Sequence, residues 1–160
     1  MSFVLGIDPG LASTGFAVLA ADGRLVDCGT IKTQARFTAG SRLLEIVEKL
    51  DEVVRKHGVR EAALEELFLG RNRTSFVGVA QARGAILAML ESHLMFIAEY
   101  KPSLVKSVVT GYGAADKRQM ARMLGAQVAL RKPADDHALD AVAIALCHLR
   151  SRKLRVVAGT

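Results

Sequence analysis

The stretch that decides the fold is Leu5-Gly6-Ile7-Asp8-Pro9-Gly10. With the two residues before it, it forms an almost wholly apolar run, which is typical of a strand buried on both faces, and Pro9-Gly10 then turns the chain. A carboxylate at the end of a core strand is costly to desolvate without a partner. Asp8 is therefore either a turn cap on the strand or a metal ligand, and the second interpretation requires other carboxylates at the same place.

Composition limits the kind of protein. The 160 residues are 51% hydrophobic, which suits a single folded domain spanning residues 1–160. No apolar run is long enough to cross a membrane, and the first one, interrupted by Asp8, does not resemble a signal peptide. Cys28 and Cys147 are the only cysteines. We therefore expect a reduced, cytoplasmic protein without a thiolate zinc site.

Charge is distributed unevenly along the chain. Residues 1–100 carry 11 Lys and Arg against 12 Asp and Glu, whereas residues 101–160 carry 11 against 4. A positive excess in one part of the chain indicates a polyanionic partner, most simply nucleic acid. A basic, solvated surface without a partner is the alternative.

The first half of the chain predicts a meander, a helix and a return strand. The strands of the meander are expected at residues 3–8, 14–20 and 24–33. Asp22-Gly23 is the hairpin turn between the second and third strands. A helix follows from an N-cap at Ser41 to a stop at Gly58. The strand at 61–66 then runs parallel to the first or the third strand, because a crossover helix precedes it.

The second half of the chain predicts four helices and a fifth strand. They are a helix from Thr74 or Ser75 to about Leu94, a strand at 95–100, a helix from Ser103 to Val109, a basic helix at 116–130 and a last helix capped by Asp135 or Asp136. Small residues at 78–85 allow either tight packing on the sheet or a helix–helix dimer contact. The basic tail at 151–160 is expected to fray. The expected fold class is α/β, with a five-stranded mixed sheet flanked by helices.

Acidic side chains are expected to meet at one edge of this sheet. Asp8 ends the first strand and Glu65-Glu66 ends a parallel one, so neighbouring strands would place both at the carboxyl edge. On the last helix, His137 and Asp140 share a face, as do Asp136 and Asp140. Oxygen-rich ligands without cysteine favour Mg²⁺ or Mn²⁺. Two such ions about 4 Å apart can hydrolyse a phosphodiester.

Each of these side chains also has a purely structural interpretation. Glu65 is compatible with a solvated strand end, and Asp135 and Asp136 are compatible with simple helix caps. His137 is compatible with a hydrogen-bonded surface histidine. The metal site is a sound hypothesis only if the acids meet in space.

Five ordered blocks of sequence carry a family resemblance. They are Gly6-Ile7-Asp8-Pro9-Gly10, Leu64-Glu65-Glu66-Leu67-Phe68, Gln81-Ala82-Arg83-Gly84, Lys106-Ser107-Val108-Val109-Thr110-Gly111-Tyr112-Gly113 and His137-Ala138-Leu139-Asp140-Ala141. Over nearly its whole length, the chain resembles the RuvC family of Holliday junction resolvases, which have the three-layer ribonuclease H-like fold. The resemblance implies a metal-dependent, structure-selective endonuclease that resolves four-way DNA junctions by paired nicks in recombination and repair.

The resemblance also implies the metal ligands. They are Asp8, Glu65, His137 and Asp140, which would hold two Mg²⁺ or Mn²⁺ ions in each active site. The third ligand is Asp in some family members and His in others. A neutral imidazole suits Mn²⁺ better than Mg²⁺, and it loses the metal when it is protonated at low pH.

Further residues match DNA contacts of the family. Lys106 and Lys117 match catalytic lysines near the scissile phosphate, where a cation stabilises charge in the transition state. Phe68 matches an aromatic that stacks on the opened bases of the junction, with core packing as its alternative. Phosphate or base contacts are expected from Arg71, Asn72, Arg73 and Arg118, and Arg122 extends this basic face, with a solvated surface as the alternative.

Family members act as homodimers, so the resemblance favours the dimer contact for the helix at 74–94. The expected partners are four-way junction DNA, a second copy of the chain and the RuvA–RuvB branch-migration complex, with no membrane. One alternative is a catalytically silent junction-binding module of the same fold. Another is a phosphotransferase of the actin-like class, whose strand turns resemble Asp8-Pro9-Gly10 but which needs two such halves.

Overall fold

A computed structural model describes residues 2–67, 73–129 and 134–157, with side chains described over 2–67, 76–129 and 134–152. Its strands are β1 (Phe3–Asp8), β2 (Ser13–Ala20), β3 (Leu25–Lys32), β4 (Glu61–Glu65) and β5 (Phe96–Tyr100). Its helices are α1 (Ala39–His57), α2 (Arg73–Ser92), α3 (Pro102–Thr110), α4 (Lys117–Gln127) and α5 (Asp136–Val157). None of these helices has the length and apolar character that a membrane crossing requires.

The strands form one mixed sheet in the order β3-β2-β1-β4-β5. The first three are antiparallel neighbours, as the meander predicts, whereas β4 pairs parallel with β1 and β5 pairs parallel with β4. The return strand therefore lies beside the first strand, a choice that the sequence left open. Because Ile7 pairs with Leu64, Asp8 and Glu65 leave the sheet at the same level.

Helices cover both faces of the sheet, so the predicted mixed sheet flanked by helices is confirmed. Leu5 and Ile7 of β1 belong to one core, which also contains Ile46 and Leu50 of α1 and Ile86 and Leu90 of α2. Val4 belongs to the opposite core, with buried residues of α3, α4 and α5. Alternate residues of β1 thus fill two separate cores, which explains why its sequence is an unbroken apolar run.

Helix α5 lies directly on the backbone of β1 and β2. A Cβ atom on Gly6 would overlap the carbonyl oxygen of Ala141, and one on Gly15 would overlap the carbonyl oxygen of His137. Glycine is therefore required in both strands where the helix crosses them. Since Gly15 pairs with Asp8 in the β1–β2 ladder, this close approach brings the start of α5 to the end of β1.

Two of the predicted helix caps were wrong. The N-cap of α1 is Thr38, whose Oγ1 accepts a hydrogen bond from the Ser41 N–H at 3.2 Å. The prediction failed because both residues are good caps and lie only three positions apart. Helix α3 begins at Pro102, so Ser103 lies inside it. Proline at the first position has its backbone angle already set for a helix and needs no capping side chain.

Other helix boundaries agree with the sequence or differ by a few residues. Gly58 ends α1 in the left-handed conformation, with φ of 60°. Asp116 caps α4 in a reciprocal capping box with Gln119. Helix α2 begins at Arg73, before the predicted caps at 74–75. Helix α5 continues through Val157, whereas we expected fraying from about residue 151.

We expect Gly6→Ala to destabilise the protein by more than about 3 kcal/mol, because the new Cβ must push α5 away from β1. Urea unfolding of the metal-free protein measures this change. Gly40→Ala is the matched control, since nothing lies within 4 Å of its Cβ position. Alanine there should leave stability unchanged or raise it by up to about 1 kcal/mol. Equal stabilities of the two variants would contradict the close contact.

Candidate active site

A cavity of about 470 Å³ opens at the carboxyl edge of the sheet, between the ends of β1 and β4 and helices α3, α4 and α5. Its charged lining residues are Asp8, Glu65, Lys106, Asp116, Lys117, Asp136 and Asp140. The structure thus brings together three of the four predicted metal ligands and both predicted catalytic lysines. Residues from five separate elements meet here, as expected for a site at the carboxyl ends of parallel strands.

The fourth predicted ligand, His137, contacts the first one directly. Its Nδ1 donates a hydrogen bond to Oδ2 of Asp8, with the two atoms 2.8 Å apart. Burial raises the pKa of Asp8 above its ordinary value, while the hydrogen bond and charge of His137 act in the opposite direction. His137 therefore stabilises the ionised form of a carboxylate that burial destabilises.

The other two carboxyl groups are strongly perturbed. Burial, followed by the charges of Asp8 and Asp140, raises the pKa of Glu65 to about 7. Burial and the charge of Asp8 raise the pKa of Asp140 to about 6. Three partly buried carboxyl groups therefore oppose each other's ionisation, and such perturbation marks functional sites more often than structural ones.

This donor set fits a divalent cation. The ligand atoms are carboxylate oxygens and one imidazole, which Mg²⁺ and Mn²⁺ accept, and a dication would relieve the repulsion that raises the two pKa values. Within the part of the chain that the structure describes, no three His, Cys, Asp or Glu side chains already form a group that could hold a metal ion.

The start of α5, which carries His137 and Asp140, is tied to β3. Oδ1 of Asp135 accepts hydrogen bonds from the Ala138 N–H at 3.1 Å and from the hydroxyl of Thr30. Lys32 Nζ lies 3.6 Å from Oδ2 of the same carboxylate. Asp135 is thus the N-cap of α5, one of the two predicted candidates, and it also fixes the helix start against the sheet.

The turn after Asp8 is held by a buried threonine. The Oγ1 of Thr14, a fully buried residue, donates to the Gly10 carbonyl oxygen at 2.7 Å and accepts from the Gly10 N–H at 3.3 Å. Thr33, the residue after β3, donates to the Leu11 carbonyl oxygen at 2.5 Å. The turn that follows Asp8 is therefore fixed by one side chain of β2 and one that follows β3.

Arg83 fixes the end of β4, and the sequence assigned it no role. It is only 8% exposed, and its guanidinium donates to the backbone carbonyl oxygen of Glu65 at 2.7 Å. A second nitrogen forms an ion pair with Glu99 at 2.7 Å. The signals in the sequence are an arginine among the small residues at 78–85 and its place in the block Gln81-Ala82-Arg83-Gly84, neither of which indicates what it contacts. Its main acceptor is a backbone atom 18 residues away, which sequence patterns do not identify.

The two predicted lysines approach the cavity from α3 and α4. The charge of Lys106 favours the ionised form of Glu65. Lys117 Nζ lies 3.2 Å from Oδ2 of Asp136, and this hydrogen bond is the main reason why the pKa of Lys117 is raised. Asp136 therefore lines the cavity as the partner of a lysine.

The predicted DNA contacts are divided among different parts of the chain. Phe68, Arg71 and Asn72 lie outside the described residues. Arg73 is the first residue of α2, and its side chain lies outside the described side chains. Arg118 is exposed and lines a shallow depression, together with Arg122, that shares Asp116 with the cavity described above.

Comparisons with known proteins agree on one family. The family model described as crossover junction endodeoxyribonuclease RuvC matches residues 4–148. Proteins of that name from Roseiflexus sp. and Chloroflexus aggregans are each 44% identical, over 90% of this chain and 88% and 90% of their own lengths. The structure of T. thermophilus RuvC in complex with a Holliday junction substrate superposes with a TM-score of 0.89 and 31% identity, over 96% of each chain.

The Glu65→Gln variant should be more stable than the wild type in the metal-free state. Because the pKa of Glu65 is about 4.5 when unfolded and about 7 when folded, its ionisation opposes folding. The advantage of Gln should be absent well below pH 4.5, grow between pH 4.5 and 7, and be complete above pH 7. We expect about 1 to 2 kcal/mol there, after allowing for solvent screening of a partly buried group.

Urea unfolding in EDTA between pH 4 and 9 measures this difference. Glu48→Gln, on the exposed face of α1, controls for the loss of a carboxylate as such and should change stability by less than about 0.5 kcal/mol. A Glu65→Gln variant that is no more stable than the wild type at pH 8 would show that the carboxyl groups do not oppose each other.

Proposed function

Because the chain belongs to the RuvC family of crossover junction endodeoxyribonucleases, we propose that the cavity between β1, β4 and α5 is its active site. The activity is endonucleolytic cleavage of DNA at four-way junctions in recombination and repair. The observation that carries the assignment of the site is the convergence of Asp8, Glu65 and Asp140 on one cavity that also contains two lysines.

The proposed metal ligands are Asp8, Glu65, His137 and Asp140. Nucleases of this family are metal-dependent, and our proposal is that the four side chains hold two Mg²⁺ or Mn²⁺ ions. When bound, these cations would activate a water molecule and neutralise the leaving 3′-oxygen of the phosphodiester. A silent junction-binding module would have no use for three carboxyl groups that raise each other's pKa.

Residues of the chain itself would position the DNA phosphate. Asp8 and Glu65 project from paired strands at one level, so they define one side of the place where the phosphate must lie. His137 and Asp140 approach from α5 on the other side. Lys106 and Lys117 supply positive charge near the same cavity, where it can stabilise charge on the phosphate as the bond breaks.

Arg83 is proposed as a positioning residue for Glu65. It holds the carbonyl oxygen of Glu65 through a charge-assisted hydrogen bond, and helix α2 fixes Arg83 in turn. Loss of a partner that orients a metal ligand typically lowers metal affinity by about 10- to 100-fold.

Assembly is a further part of the proposal. The T. thermophilus relative is titled as a complex with a Holliday junction substrate, and a junction has two strands to cut, which suits a homodimer. The outward face of α2 supports this, since Val77 is 57% exposed and a Cβ on Gly84 would meet nothing within 4 Å. We also propose a cytoplasmic location and cooperation with the RuvA–RuvB branch-migration complex.

Asp8→Asn should lower junction cleavage by a factor on the order of 10³ or more, because the amide keeps the shape of the side chain but loses its charge. Binding of the uncleaved junction should stay near the wild-type level. The measurements are nicking of a synthetic four-way junction with Mn²⁺ and a binding titration in EDTA. Asp22→Asn, in the exposed β2–β3 turn, is the control and should cut normally. Undiminished cleavage by Asp8→Asn would remove the proposed mechanism.

Arg83→Gln should raise the Mn²⁺ concentration for half-maximal cleavage by about 10- to 100-fold, because Glu65 loses its anchor. Glu99→Gln is the matched control, since it removes the ion pair but keeps the bond from Arg83 to the Glu65 carbonyl oxygen. The Mn²⁺ requirement of this control should be unchanged. If Arg83→Gln does not fold, Arg83→Lys replaces it, and its Mn²⁺ requirement should lie above that of the wild type. Identical Mn²⁺ curves for the Gln variants of Arg83 and Glu99 would contradict the positioning role.

A further inference from the structure

A second cavity lies on the other side of α4 from the proposed catalytic cavity. Lys117, Met120 and Leu124 of that helix line the catalytic cavity. A smaller cavity of about 250 Å³, here called the Tyr112 depression, is lined by Thr110, Tyr112, Ala115, Gln119, Arg122 and Met123. One helix thus separates two cavities, and the proposed cleavage chemistry uses only one of them.

Tyr112 is an exposed aromatic on a firmly held backbone. Its residue is 61% exposed. Thr110 Oγ1 accepts a hydrogen bond from the Tyr112 N–H at 3.0 Å and donates to the Lys106 carbonyl oxygen at 2.8 Å. The Tyr112 carbonyl oxygen accepts from the Ala115 N–H at 3.2 Å. Because the backbone is already ordered, a ligand that packs on the ring would face little ordering cost.

The surroundings of Tyr112 are positively charged. Residues 101–129 contain five Lys and Arg and a single acid, Asp116. The carboxylate of Asp116 is engaged as the α4 cap, accepting from the Gln119 N–H at 2.8 Å. Arg118 and Arg122 have no hydrogen bond or ion pair with any other residue that the structure describes. Arg122 lines the same depression as Tyr112, and Arg118 lines an adjoining one that also includes Arg122. An exposed aromatic beside an unpaired arginine suits a polyanion whose backbone also has an apolar part.

We propose that the Tyr112 depression binds the sugar–phosphate backbone of the duplex arm that leaves the active site. Arg122 contacts a phosphate, and the Tyr112 ring packs against a neighbouring deoxyribose. The inference rests on the proposed function, which places the cleaved strand in the adjacent cavity. Lys117 and Arg122 are about 7.5 Å apart along the helix axis, at 1.5 Å per residue, and they line the cavities on the two sides of α4. Positive charge is therefore present on both sides of this helix. Such contacts set the position of the DNA and carry no base sequence.

The first test compares Arg122→Gln with Arg60→Gln, which removes an equal charge just before β4, at the opposite edge of the sheet. Junction binding is measured in EDTA at several salt concentrations. Arg122→Gln should weaken binding roughly 3- to 10-fold and reduce the slope of log affinity against log salt by about one. Arg60→Gln should match the wild type. The proposal is overturned if the two variants bind alike.

The second test concerns the ring. Tyr112→Ala should weaken junction binding by roughly 3- to 10-fold with an unchanged salt slope, because the ring contributes packing and no charge. Tyr112→Phe should bind as the wild type does. Equal binding by the Ala and Phe variants would remove the ring from the proposal.

The failure of this inference can be told apart from the failure of the proposed function. If the wild-type protein does not nick junctions with Mn²⁺, the proposed function is refuted. If it nicks them normally but Arg122→Gln binds the junction as the wild type does, only this inference is refuted.

Discussion

The arrangement of the site depends on the contact between α5 and the glycines of β1 and β2. Without Gly6 and Gly15, the backbone of α5 would have to lie farther from the sheet. His137 and Asp140 would then move away from Asp8, even with every strand pairing intact. The same contact serves the core, because it places the apolar face of α5 on both strands. The packing of α5 on the sheet is therefore also what brings its site residues to Asp8.

Backbone and side chains have different tasks in this site. The backbone is held by groups that do no chemistry: Thr14 on the turn after β1, Arg83 on the end of β4 and Asp135 at the start of α5. The carboxyl groups they present are destabilised by burial and by each other. A rigid frame is what allows such repulsion to persist, since a looser one would relax by separating the charges.

The sequence predicted most of the fold because its strands and helices carry strong periodic signals. The strand that ends at Asp8 was predicted from its apolar run, and the end of α1 was predicted from the glycine at position 58. The N-cap of α1 was misplaced because two good caps lie within one turn. Arg83 was missed because its acceptor is a backbone carbonyl distant in sequence. The choice between Glu65 and Glu66 came from the family resemblance. Glu65 lines the main cavity, whereas Glu66 borders only a smaller one beside it.

Histidine at position 137 follows from the same electrostatics. A carboxylate there would add a fourth negative charge next to groups whose pKa values are already raised to about 6 and 7. An imidazole adds no negative charge, and its Nδ1 donates to Asp8. In the tautomer that this bond selects, Nε2 keeps its lone pair, which the proposed role of His137 as a metal ligand requires. The bond therefore stabilises the ionised form of Asp8 and is compatible with that proposed role.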